Sequence, residues 1–368
     1  MLQRSIRRQF STWASVTAAP ADPILGLNEA FKKDTNPKKQ LLGMGVYRCD
    51  KGKPYILGCV RKAEKKILDL EMDHEYAGIQ GIDSYIAKCL NLAYGADNKA
   101  VKEGRIAACQ SISGTGSLRL GMQFLNDFYP KDADIHVPSP TWPLHKGLVG
   151  LVGRKCQEYR YYDPKTKGLD YDGFLADLKN AKDGSIFLMH VCAHNPTGVD
   201  PTPAQWDNVL DIVKNKKHFV AFDSAYQGFA SGDLEKDAYS LRKFSSNYEN
   251  IMLFQSFAKN FGLYGQRAGC VSLLCSSPEE KAVVMSRIKV LARGLYSNPP
   301  IHGARIVDVI LGDQALTQEW HNELKVMSGR MNDMRHGLHK NLRDLGSVHN
   351  WDHVINQIGM FAYTGLNK

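Results

Sequence analysis

The chain has 368 residues, 43% hydrophobic and 23% charged, an ordinary composition for a globular protein with a core of ample size. No stretch is apolar enough for long enough to span a bilayer, which argues against a helical membrane protein and leaves no transmembrane segment to expect. The formal net charge is +9, but the lysines are scattered rather than banded with aromatics, which argues against nucleic acid and fits anionic small substrates.

In chain order, the first 20 residues hold Arg4, Arg7 and Arg8 and no acid. On a helix of about 100° per residue, Leu2, Ile6, Phe10, Trp13 and Val16 share one arc and the arginines the other. This is the composition of an organelle presequence, short and arginine-dense enough to favour the mitochondrion over the plastid, with the matrix as destination. "RQF-ST" resembles a matrix-processing site, with Arg8 three residues before a cut after Phe10. Residues 1–20 are therefore set apart from the fold.

Beyond them, short β-branched and aromatic runs alternate with helical patterns. "RIAACQS" (residues 105–111) reads as a strand leading into "SGTGSLRLGMQFLNDF", a Gly/Ser turn that opens an amphipathic helix. "SIFLMHV" (185–191), "HFVAFD" (218–223) and "IMLFQSF" (251–257) are continuous apolar runs. Such runs suit parallel strands buried on both faces. "TPAQWDNVLDIVKNK" reads as a crossover helix opened by Thr202 and Pro203. The fold class is α/β with a central, mostly parallel sheet. Ligands of such sheets sit beyond the carboxyl ends of the strands, so the loops there carry the interest.

After the first run comes "SISGTGSLR". Its small residues let backbone N–H groups converge at a helix start, a phosphate cradle, although such a turn is more often only a turn. After the second comes "CAHNPTGVD", where Pro196 forces an extended or turn conformation on Asn195. After the third comes "SAYQGFASG". Asp223 closes an apolar strand, and either pairs with a protein cation or meets a ligand cation. Tyr226 lies three residues on. After the fourth comes "AKNFGLYGQRAG", with Lys259 and Arg267 among glycines, before a further β-prone run at 270–274. A buried lysine is costly unless neutral, paired or covalently used. Ser256 and Lys259 also spell S-x-x-K, but the S-D-N and K-T-G partners of an acyl-enzyme site do not occur. The eight cysteines show no CxxC or Cys/His metal spacing, so no metal site is expected, and they read as buried free thiols in a reducing compartment.

Taken together, these loops ask for a ligand that is anionic at one end, cationic at another and carbonyl-bearing. Pyridoxal 5′-phosphate meets all three demands. From "DPILGLNEAF" onward the chain resembles the aspartate aminotransferases, their mitochondrial members in particular, which are fold-type I enzymes dependent on that cofactor. The motifs that carry the resemblance are "LLGMGVYR", "YRYYDPKT", "HNPTGVDPTPAQW", "AYQGFASGD", "SNPPIHGARIV" and "HNWDHVINQIGMFAYTGL".

The resemblance implies a role for each matching residue. Lys259 corresponds to the Schiff-base lysine and proton shuttle, and Asp223 to the partner of the pyridinium nitrogen. Asn195 and Tyr226 correspond to the pair that bonds the cofactor's 3′-oxygen, Trp142 to the indole stacked on its ring, and His145 to the histidine behind the aspartate. Ser113, Gly114, Thr115, Ser256 and Arg267 correspond to the phosphate cup, and Tyr76 to a tyrosine that reaches the phosphate of the neighbouring subunit. Arg293, with Ser297 beside it, corresponds to the arginine that binds the substrate's distal carboxylate across the dimer. Gly45, Trp142 and Asn195 would also face the substrate.

The implied architecture is a homodimer with shared sites. It has a large domain at 54–326 and a small domain from 21–53 and 327–368. The implied partners are amino acids and 2-oxo acids, in transfer from L-aspartate to 2-oxoglutarate. An aromatic or kynurenine aminotransferase is the alternative on the same fold. Members of the family continue beyond "GMFAYTGLNK", so the chain reads as C-terminally incomplete, without the arginine that clamps the α-carboxylate. A truncated product with little activity is therefore the alternative of another class.

Overall fold

Each continuous apolar run becomes a strand of one sheet. The computed structural model describes residues 12–18, 23–41, 43 and 45–365, so most of the arginine-rich start lies outside the described residues. The chain divides into two compact units, Met1–Lys53 and Pro54–Lys368. The first holds the Pro23–Lys33 helix. Lys39 donates to the carbonyls of Phe31 and Asp34, both at 2.6 Å, which fixes the turn that follows this helix.

The second unit holds the strands β1 (Ile106–Ile112), β2 (Ile135–Ser139), β3 (Cys156–Arg160), β4 (Tyr162–Asp163), β5 (Gly168–Leu169), β6 (Ile186–His190), β7 (Phe219–Ser224), β8 (Ile251–Ser256) and β9 (Ala268–Leu274). Strands β4 and β5 form a small hairpin. The other seven form one sheet in the order β1-β9-β8-β7-β6-β2-β3. Neighbours from β8 to β3 are parallel, whereas β9 runs antiparallel to both β8 and β1.

Alternate residues of each run face opposite layers, as a period of two requires. Phe187, Met189, Val220, Phe222, Ile251 and Leu253 pack with Trp206, Val209 and Val213 of the Pro203–Asn215 helix. Ile186, Leu188, Ala221, Met252 and Phe254 pack with Leu118, Met122 and Leu125 of the Ser113–Phe128 helix. On that second face helix and sheet approach closely at Gly121. A Cβ there would stand 2.3 Å from the Phe254 ring. The Pro203–Asn215 helix opens as its sequence indicates. Thr202 and Gln205 cap each other's backbone N–H in a capping box.

Two sheet strands carry no apolar signal. Strand β2 is interrupted by His136 and Pro138. Strand β3 lies at the sheet's edge, where of its five residues only Tyr159 is buried. All eight cysteines are free. Six are buried, and Cys49 and Cys156 are half-buried. Among the described residues no helix is long and apolar enough to cross a membrane.

Phe222 is fully buried between Trp206 and Phe244, with ring centroids at 6.3 and 5.2 Å. Phe222→Ala should destabilise the chain by about 3–5 kcal/mol through the cavity it leaves. A urea midpoint equal to wild type would show that the Phe222 ring carries no weight in that core.

Candidate active site

The reversal of β9 decides which residues meet. Strands β1 and β8 end where β9 begins, with Ile112 opposite Ala268 and Ser256 opposite Gly269. The residues after β1, at the end of β8 and before β9 therefore share one edge. The Ser113 N–H donates to the Arg267 carbonyl at 3.1 Å, and the Ser113 and Ser256 hydroxyls lie 3.0 Å apart. Ser113 (φ 58°) and Arg267 (φ 54°) both take the left-handed conformation. Gly269 admits no side chain, because a Cβ would stand 2.6 Å from the Ser113 carbonyl carbon.

The Ser113–Phe128 helix starts at this point with Gly114 and Thr115 in its first turn, and Ile112 at its N-cap offers no side-chain acceptor. Its leading N–H groups and the Arg267 guanidinium, which donates to the Tyr264 carbonyl at 2.9 Å, make one electropositive cradle suited to a phosphate.

The neighbouring strand ends carry the titratable groups. Asp223 is buried, and its Oδ2 lies 3.1 Å from His145 Nε2. His145 Nδ1 meets the Thr141 hydroxyl at 2.7 Å. With Nε2–H donating to the carboxylate, Nδ1 accepts from Thr141. Burial alone would push the Asp223 carboxyl up. The His145 bond, the two histidines' charge and Lys259 outweigh it, and the carboxyl sits below its ordinary range.

His190 Nε2 stands 3.9 Å from Asp223 Oδ2, too far for a hydrogen bond, and neither ring nitrogen has a partner. Burial pulls His190 down to about 3, so it is neutral at pH 7. At that pH His145 and Lys259 hold the carboxylate, and His190 contributes charge only in acid. Ligand atoms of His145, His190 and Asp223 fall within 4.8 Å of one another.

Lys259 follows β8, and its Nζ lies 5.3 Å from the Tyr226 ring centroid. Burial lowers its pKa. Asp223 opposes this and Arg267 adds to it. Burial pushes the Tyr226 hydroxyl well up, and the Asn195 side chain interacts with that hydroxyl. Trp142 is half-buried and meets the His145 ring edge-on at 5.4 Å.

Two desolvated carboxylates, half-buried Asp200 and buried Asp237, fix the loops that carry Asn195 and Tyr226. Asp200 accepts from the N–H groups of Ala193 and His194 at 2.6 and 2.9 Å. Asp237 accepts from Gly228, Ala230 and Ser231 at 2.8, 3.1 and 3.2 Å. Tyr226's own carbonyl bonds the N–H groups of Phe229 and Ala230, so Asp237 grips the turn that Tyr226 begins.

Not all of the expected residues join this group. Arg293, exposed near the end of the Pro278–Tyr296 helix, bonds Ser297 Oγ and Asn298 Oδ1. Asn298 in turn bonds the carbonyl of Ala77, beside Tyr76, which is 80% exposed. Among the described residues no hydrogen bond links this second group to Lys259. Gly45 belongs to the first compact unit.

The sequence profile of the family "Aminotransferase class I and II" matches residues 37–368. The chain belongs to the class I and II aminotransferases. It is 51% identical to the mitochondrial aspartate aminotransferase of Schizosaccharomyces pombe over 98% of this chain and 82% of that protein. It is similar to the broad specificity aminotransferase of Leishmania mexicana, with TM-score 0.93 and 42% identity over 96% of this chain and 87% of that one. The aromatic-amino-acid aminotransferase of Burkholderia pseudomallei, solved covalently bound to pyridoxal phosphate, gives TM-score 0.94 and 40% identity over 97% and 88%.

Within this aminotransferase, sequence reasoning passed over His190, His194, Asp200 and Asp237. Asp200 does stand in the quoted "CAHNPTGVD", where a carboxylate seven residues after Ala193 can close the loop back on itself. Asp237 sits in "GDLEKDAY", which reads as a solvated charged stretch.

Burial pushes the Asp237 carboxyl from an ordinary 3.8 up to about 6. The folded chain thus holds this proton more tightly than the unfolded chain. Stability from it is complete below about 3.8 and is lost as pH rises through about 6. Asp237→Asn should flatten that stretch of the stability profile, where the shift corresponds to roughly 3 kcal/mol. Denaturant melts at a series of pH values would expose an unchanged slope, and with it a different titrating group.

Proposed function

We propose that the chain moves the amino group of L-aspartate to 2-oxoglutarate, giving oxaloacetate and L-glutamate, with pyridoxal 5′-phosphate as its cofactor. The observation that carries the reading is the meeting at one sheet edge of a desolvated lysine amine and a buried carboxylate that act on each other's charge, beside an uncapped helix start and Arg267. The residues fit this group. The cradle suits its phosphate, Asp223 suits a cationic ring nitrogen, and a desolvated amine suits its aldehyde. When bound, pyridoxal phosphate supplies a carbonyl that condenses with amines and a protonated ring that accepts electron density from the substrate's Cα.

The chain's own groups account for the rest. Asp223, ionised and oriented by His145, holds a proton at the ring nitrogen. Ser113, Gly114, Thr115, Ser256 and Arg267 bind the phosphate. Asn195 and Tyr226 bond the ring's oxygen, and Trp142 covers the ring face. Lys259 Nζ, its pKa lowered by burial, would take the α-proton of the amino acid and deliver it to C4′ of the cofactor. Arg293, with Ser297, binds the distal carboxylate in bidentate fashion, which selects dicarboxylates.

Arg293 and Tyr76 would serve the site of a second copy, making the protein a homodimer. The first compact unit, with Gly45, and residues 327–368 would form the small domain, and residues 54–326 the large one. The mitochondrial names of relatives such as the Schizosaccharomyces pombe protein support a mitochondrial location, and the arginine-rich start supports the matrix. Likeness to broad-specificity and aromatic aminotransferases supports wider substrate use as a second reading.

The chain loaded with pyridoxal phosphate should be yellow, and borohydride should fix a pyridoxyl group on Lys259 in a peptide map. A label on another lysine would remove Lys259 from the chemistry.

Arg293→Ala should lose two charge-assisted bonds of about 1.5–3 kcal/mol each. For aspartate that is roughly a hundredfold to ten-thousandfold in kcat/KM. Tyrosine and kynurenine should be largely spared. Equal loss for all three would mean that Arg293 supports structure rather than selectivity.

A further inference from the structure

The stretch after the long Gln314–Asp344 helix carries no site residue named above, yet it lies against two site loops. The Ile358 N–H donates to the Gly198 carbonyl at 2.8 Å. Gly359 sits on Ala193 so closely that a Cβ would stand 2.7 Å from the alanine methyl. The Phe361 ring meets Tyr226 edge-on, with centroids 6.2 Å apart at 85°. Residues 358–361 thus touch both the loop that bears Asn195 and Tyr226 itself.

Val354 lies in the short Asp352–Asn356 helix, and residues 357–361 that follow it belong to no helix or sheet. The carbonyls of this strap therefore need other donors if they are buried. One side chain supplies them. Arg335, on the Gln314–Asp344 helix, donates from Nη1 to Val354 at 2.9 Å and from Nη2 to Gly359 at 2.9 Å and to Phe361. Arg335 is only 7% exposed, and among the described residues no carboxylate pairs with it. A buried guanidinium without an anion is costly, and three carbonyl dipoles are what offset it here. A planar fork reaches three acceptors spread over eight residues; an ammonium of similar reach does not.

We propose that Arg335 is a positioning residue for the active site, holding the 354–361 strap against Tyr226 and the Asn195 loop. The proposal rests on the reading of Tyr226 as a cofactor-facing residue. If Arg335 merely filled space in the strap's own packing, its loss would lower the melting temperature and leave the cofactor's surroundings alone. If it positions the site, the change must reach Tyr226 through Phe361.

The test uses the full chain loaded with pyridoxal phosphate, as wild type, Arg335→Lys, Arg335→Met and Phe361→Leu. Amide hydrogen exchange reads the strap without reference to activity. Titration of the bound cofactor's absorbance with pH reads Tyr226. Both Arg335 variants should speed exchange at residues 354–361 by about tenfold or more, with β6, β7 and β8 unchanged. The apparent pKa of the bound chromophore should move by about half a unit or more, in the same direction as in Phe361→Leu. Unchanged exchange would overturn the proposal, as would faster exchange with an unmoved titration. If Arg335→Met does not fold, the lysine and Phe361 variants decide alone. A wild-type chain that takes up no pyridoxal phosphate overturns the functional reading instead. The exchange data then still decide whether Arg335 holds the strap.

Discussion

A carboxylate buried at the end of a central strand sets the terms for the rest of the molecule. Asp223 lies on β7, flanked on both sides by parallel strands, with burial acting to protonate it. Every contact around it answers that cost. His145 donates to it, Thr141 fixes the tautomer that lets His145 donate, and Lys259 lends it a positive field. The neutral, unpartnered His190 beside it is the converse case. The site holds one stable negative charge and spends no second cation on it. Such an arrangement suits a ligand that brings its own positive charge to the carboxylate.

The sheet brings the anion cradle to the same edge by a simple device. Parallel strands present only carboxyl ends there, so a residue that precedes a strand would lie at the far edge. Because β9 is reversed, Arg267 arrives beside Ser113 and Ser256. That crossing is tight enough to exclude a Cβ at Gly269 and to require left-handed backbone at Ser113 and Arg267. The strain is local, and the strand pairing on both sides of β9 holds it.

How much of this the sequence discloses follows from the kind of signal each part leaves. Strands β6, β7 and β8 are buried on both faces, so their apolar runs are unbroken and legible, as is the Thr202–Pro203 helix start. Strand β2 breaks its run at His136 and Pro138. Strand β3 at the edge needs little apolar surface, and neither can be read from periodicity. The direction of β9 leaves no trace in composition, since an antiparallel strand buried on both faces looks like a parallel one. Asn195, Tyr226, Lys259 and Arg267 stand out because each follows or precedes a run at a fixed short distance. Asp237 and Arg335 do not, because they act through backbone groups, six to nine residues away for Asp237 and 19 to 26 for Arg335. A side chain that binds carbonyls or N–H groups imposes no residue type on its partners.

That last point separates two parts of the machinery. Asp200, Asp237 and Arg335 are desolvated charges bound to backbone rather than to opposite charges. Such groups contribute little net stability, but they fix the path of a loop whatever side chains it carries. The loops that bear Asn195 and Tyr226 are thereby shaped when the chain folds. The group around Arg293 and Tyr76 is the opposite: both are exposed, the group is held by a few bonds, and among the described residues no hydrogen bond ties it to these clamps. In the proposed dimer, the first part is complete at folding and the second acquires its purpose at assembly. Chemistry would then belong to the single chain's fold and substrate choice to the pairing of two.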